Sequence, residues 1–132
     1  MENKMKYLEL IQNVIERMAK NSFMLKGWSI TVLAGYLALN NNNNIHIFLF
    51  IAIAINVMFW GLDSYYLQQE RLYRCLYNEA ITIPEEEISF SLDTTEFKFD
   101  LNNNFLYCLI SPTEGLFYVP LIIINLISIL WR

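Results

Sequence analysis

The 18 residues from Ile45 to Leu62 carry no formal charge, and this run constrains the chain more than any other feature. A helix that crosses the hydrocarbon layer of a bilayer needs about 20 mostly apolar residues, with a range of roughly 17–25. His46 is the run's only titratable side chain, and no proline follows until Pro84. From Asp63 onward the same stretch turns charged and tyrosine-rich, with Asp63, Glu70, Arg71, Arg74 and Glu79. Nothing but the tolerated Gly61 would break a helix there. The expectation is one rod that crosses lipid over 45–62 and continues into water as a cytoplasmic helix over 63–80. Trp60, Tyr65 and Tyr66 stand at the crossing point, where amphipathic rings favour the headgroup layer.

Two further apolar runs flank this one. Residues 22–39 reach span length if Lys26 snorkels to the interface. Residues 116–131 form a shorter run, read either as a third span or as a buried core helix. Phe105–Ile110 is set apart from it by Ser111, Pro112 and Glu114, and reads as an interfacial or buried segment. The apolar fraction is 55%, above the ~45–50% of typical soluble domains. Together these runs predict an all-α membrane protein with a single membrane domain over 1–132. Lysines and arginines precede the first run and follow the second, which puts the N-terminus in the cytoplasm by the positive-inside rule. The uncharged Asn40–Asn44 connector then faces outward and closes an antiparallel helical hairpin.

Residues 3–20 have a helical period. Tyr7, Leu8, Ile11, Val14, Ile15 and Met18 share one stripe, opposite Glu9, Asn13, Glu16, Arg17 and Lys20. This is an amphipathic helix leading into the membrane. Residues 83–104 read as extended. Ile88, Phe90 and Leu92 alternate, as do Phe97, Phe99 and Leu101, around a short polar turn. That pattern fits a β-hairpin or, with equal weight, irregular packed coil.

No catalytic constellation is visible. The one histidine has no partner at catalytic spacing, and the four glycines form no phosphate-binding fingerprint. Cys75 and Cys108 are far apart and match no metal or disulfide framework. The chain is therefore not expected to be an enzyme, and no cofactor or metal is implied. Attention falls on polar residues inside the apolar runs: Thr31, Asn56, Asn125 and Ser128. They could join spans within one chain, glue copies together or line a wet path. Gly27, Thr31 and Gly35 form a small-residue face that allows close helix approach. Three short spans cannot enclose a pore, so conduction would need a homo-oligomer. Asp63 could pair with Arg17, Lys26 or Arg71, or, with Glu70, ring a cation vestibule.

Four segments carry a resemblance over nearly the whole chain: "RMAKNSFMLKGW" (17–28), "FWGLDSYYLQQERLYRCLYNEA" (59–80), "FSLDTTEF" (90–97) and "SPTEGLFYVPLIIINLISIL" (111–130). They resemble small bacterial membrane effectors of antiphage defence, in particular the membrane component of Hailong systems, and the layout is similar to SLATT-type effectors. The resemblance implies an oligomer in the inner membrane, held inactive by a partner or nucleotide signal, that permeabilises the membrane on release. It also implies an anionic partner, a nucleotide or short DNA oligomer made by a nucleotidyltransferase. Arg17, Arg71 and Arg74 are the residues here that could meet such a ligand or partner. The competing expectation is a non-conducting adaptor that anchors a soluble partner through its cytoplasmic region.

Overall fold

The computed structural model of the chain describes residues 2–38, 45–99 and 103–131. The Asn40–Asn44 connector, Leu101 and Arg132 lie outside them. The described chain is 89% helix, with no strand among the described residues. Helix α1 runs Glu2–Ala38, α2 Ile45–Thr82, α3 Phe105–Leu109 and α4 Pro112–Leu130. Single 3₁₀ turns cover Glu85–Glu87 and Thr95–Phe99.

The amphipathic segment and the first apolar run are one uninterrupted helix. Neither Pro nor a polar break lies between residues 2 and 38, so the backbone ladder never stops. At 1.5 Å per residue, α1 and α2 are each about 55 Å long. That exceeds the ~30 Å hydrocarbon thickness of a bilayer by about 25 Å. The two rods are antiparallel. Lys4 Nζ, one turn into α1, donates to the carbonyls of Ile81 and Ile83 at 3.1 and 2.8 Å. It thereby satisfies backbone acceptors that the end of α2 leaves open.

Two apolar clusters hold the rods together, one at each end. Tyr7, Ile11 and Ile15 of α1 meet Leu76 and Ala80 of α2, with Tyr73, Tyr77, Ile88 and Phe97 packed around them. This is the predicted stripe on α1. The second cluster joins Leu33 and Tyr36 to Leu49 and Ala52 and to Tyr118 and Leu121 of α4. Helix α4 runs parallel to α1, since Glu114 lies beside Lys26 and Ser128 beside Tyr36.

The return from α2 to α4 corrects the hairpin expectation. Asp93 Oδ1 accepts from the backbone N–H of Thr95 at 3.0 Å and from its hydroxyl. That turn starts the 3₁₀ segment Thr95–Phe99, which curls the chain where a second strand would have run. The bonds from Thr95 hold the Asp93 carboxyl below its usual range. Ile88 and Phe97 pack on the lower helical cluster instead of on each other's strands. Phe90 takes a left-handed backbone, φ 53°, so that its ring meets Tyr7 edge-on at 5.4 Å. Buried Asn103 then ties the return to α2, donating to Phe97 O at 2.9 Å while its carbonyl accepts from Gln68 at 3.0 Å.

One helix, over His46–Thr82, contains a window long and apolar enough to cross a membrane. Helix α4 is apolar over Pro112–Ser128 but shorter.

Candidate functional site

Along the halves of the three long helices that hold the Leu33–Leu49–Tyr118 cluster, large apolar side chains cover the outside, and polar and ionisable ones share the inside with that cluster. Phe23, Trp28, Ile30, Phe50, Val57, Leu116 and Ile127 point outward. Ser29, Asn56, Asp63, Ser64, Glu114 and Asn125 are buried. In a water-soluble bundle the apolar side chains would take the inside and ionisable ones would almost never be fully buried.

Sequence spacing builds this interior. Ser22, Lys26, Ser29, Leu33 and Tyr36 recur on α1 at steps of three and four. Glu114, Tyr118, Leu121, Asn125 and Ser128 do the same on α4. On α2, Asn56 and Asp63 are seven apart. Residues at these spacings share a helix face. Three polar stripes therefore meet along one seam.

The seam's charged end lies at the junction of all three helices. Lys26 Nζ is 2.5 Å from Asp63 Oδ2 and 3.4 Å from Glu114 Oε1. Asp63 Oδ1 accepts from the Ser22 hydroxyl, and Oδ2 accepts a second bond from Tyr118 at 2.9 Å. Asp63 is thus fully solvated by protein. Glu114 is not: Oε2 has no partner, and the residue is 1% exposed. Burial pushes the Glu114 carboxyl up to about 7, helped by the neighbouring Asp63 carboxylate and opposed by Lys26. One ammonium faces two carboxyls, which favours a proton on Glu114. Trp60 stacks on Tyr118 at 6.1 Å and donates its indole N–H to Leu109 O at 3.0 Å, which fixes the Tyr118 ring against α3.

Deeper in the seam, the side-chain amide of Asn125 donates to Leu121 O at 2.9 Å, while its oxygen has no partner. Ser128 bridges Tyr36 at 2.9 Å and Asn125 O at 2.6 Å, joining α4 to α1. Asn56 is fully buried, and neither its amide nitrogen nor its oxygen finds a partner.

The anticipated site residues therefore divide. Asn56, Asn125 and Ser128 face the interior of one chain. Thr31 does not: it is exposed and bonds Gly27 O of its own helix at 3.0 Å. The small-residue face it belongs to is likewise outside, with no atom within 4 Å of a side chain placed at Gly27 or Gly35. Asp63 contributes nothing to an exposed acidic ring, because Lys26 draws it inside. Lys26, expected to reach for headgroups, turns inward for the same reason. Glu70 instead pairs with Arg74 at 2.8 Å along the helix. The three candidate cations have separate surroundings. Arg17 is exposed on α1, Arg74 holds Glu70, and Arg71 lies over Tyr107 and reaches Cys108 Sγ at 3.6 Å. Burial raises the Cys108 thiol, opposed by Arg71.

Sequence reading missed Glu114, Ser22 and Tyr118 as members of the cluster. The signal was available in the four-residue recurrence of Glu114 and Tyr118 in phase with Asn125. Among the described residues no group of His, Cys, Asp and Glu could hold a metal ion. Comparison with known protein families, curated proteins and solved structures finds no match to this chain.

Proposed function

We propose that the chain is an integral membrane protein whose polar seam is the resting form of a permeation path, opened when several copies assemble. In this reading residues 22–39, 45–62 and 116–131 span the inner membrane of a bacterium, with the N-terminus in the cytoplasm. The resemblance to antiphage membrane effectors supplies the biological setting: a controlling partner or anionic nucleotide signal holds the seam shut, and its change releases the leak.

The observation that carries the reading is Asn56. Two unpartnered amide atoms in the centre of an apolar bundle cost on the order of 1–3 kcal/mol. Such a group is favoured where another state supplies its partner, whether a second copy, an ion or water. The outward apolar faces and inward charges support the membrane setting. Each helix has its polar stripe turned toward its neighbours, so a modest rotation would move the stripes from an intrachain seam to a shared axis.

The test is expression in bacterial cells with a potential-sensitive dye, alongside dye release from vesicles containing the purified chain. Expected are depolarisation and release, both lost with Asn56→Leu and altered by charge reversal at Arg71 or Arg74. Harmless expression with no release under any condition would favour the adaptor, in which the region beyond residue 63 recruits a soluble partner.

A further inference from the structure

We propose that Glu114 is a proton-binding site with two alternative positions, and that its proton decides whether the first turn of α4 stays docked on α1 and α2. Docked, Glu114 faces Lys26 of α1, Asp63 of α2 and Tyr118 of its own helix, and its charge is felt by Cys108 of α3, which Arg71 of α2 contacts. Asp63 takes the short contact to Lys26 and both hydroxyl donors. Glu114 is left with one 3.4 Å contact and one orphan oxygen.

Its second position is written into the start of α4. The Ser111 carbonyl accepts the first intrahelical bond, from Gly115 N–H at 2.9 Å, which makes Ser111 the N-cap. Pro112 follows at the first helical position, and Glu114 is the third. Ser-x-x-Glu at these positions ordinarily closes a capping box. Here it is not closed: the Ser111 N–H is spent on Cys108 O at 3.2 Å and Glu114 is turned away to Lys26, which leaves the buried, unpartnered Ser111 hydroxyl as the donor a carboxylate could take. A neutral acid tolerates the docked position beside Asp63. A carboxylate there is a surplus buried charge, whereas beside Ser111 it gains the free hydroxyl as a donor and keeps the favourable end of the helix dipole. Ionisation therefore swings Glu114 to Ser111 and loosens α4.

The direction follows. Glu114 binds its proton more tightly when docked, about 7 against an ordinary 4.5. Docking is fully supported below the ordinary value and fades as pH rises through 7. From pH 5.5 to 8.5 the equilibrium constant for docking falls about thirtyfold from this group.

The experiment uses the full chain in lipid nanodiscs. Infrared difference spectra across pH should show a protonated carboxyl that titrates near neutrality, and Glu114→Gln should remove both that band and the pH slope of stability. Lys26→Gln should move the midpoint upward. Ser111→Ala should leave stability at pH 5.5 unchanged and delay to higher pH the amide exchange of residues 113–116. A wild-type slope in Glu114→Gln overturns the site. A midpoint indifferent to Lys26→Gln, or a cap-sized loss for Ser111→Ala at pH 5.5, overturns the two-position picture. Any gating of leakage by this proton rests on the proposed function. The infrared titration does not, so each can fail alone.

Discussion

Removing the Lys26 ammonium tests the central cluster most directly. In Lys26→Met the aliphatic stem is kept and the charge is lost. Asp63, fully buried, would retain only the Ser22 and Tyr118 hydroxyls. Breaking a buried pair by deleting one partner costs about 3–5 kcal/mol. The two remaining donors place this case near the low end, about 3 kcal/mol, or a loss of roughly 150-fold in the folding equilibrium constant. The pairwise part is isolated by a cycle with Asp63→Asn: the double variant should recover about 2 kcal/mol relative to the sum of the singles. A parallel cycle of Lys26→Met with Glu114→Gln should give about 1 kcal/mol or less, because that contact is 3.4 Å against 2.5 Å and the Glu114 carboxyl is half protonated near neutrality. Reversible unfolding of the purified chain in mixed micelles, followed by helical circular dichroism, gives all the free energies. If the Lys26–Asp63 cycle closes with no coupling, or if the Glu114 cycle is the larger, the charge assignment within the junction is wrong.

Three further outcomes follow from single contacts. Asn56→Leu should stabilise the resting bundle by about 1–3 kcal/mol in the same micelle unfolding, since it removes an unsatisfied buried amide, while the vesicle dye release proposed above is lost. Ile11→Ala, at a site with no exposed surface in the cluster with Leu76 and Ala80, should cost about 2–5 kcal/mol, whereas Phe99→Ala, 90% exposed, should cost little by the same measurement. At Phe90, where φ is 53°, Gly should be more stable than Ala by about 1 kcal/mol, because both lose the Tyr7 contact and only Gly escapes the left-handed penalty.

The long helices were legible in the sequence because runs free of charge and stripes at helical spacing are local signals. Tyr7, Ile11 and Ile15 declare their shared face without reference to any other segment. Asp63 with Lys26 was legible as one of three possible pairings. What resolved it was the closeness of α1 to α2 at that level, which no local signal encodes. Glu114 was misread for a related reason. In a linear count, a carboxyl beside Pro112 marks the edge of an apolar run, yet here burial and a partner on another helix bring it inside. The alternation of Ile88, Phe90 and Leu92 left hairpin and packed coil equally open because it reports only that one face is apolar. Whether that face meets a strand or a helix pair depends on the turn, and Asp93 with Thr95 decides for a curl.

The unbroken backbone of α1 and α2 makes each rod a stiff lever. Ile11 and Lys26 are 15 residue steps apart, about 22 Å of helix with no proline at which to bend. A partner that grips the distal ends, where Lys4 clasps Ile81 and Ile83, therefore has mechanical access to the charged junction without touching it: a tilt of about ten degrees about the Ile11–Leu76 cluster carries roughly 4 Å of displacement to the level of Lys26.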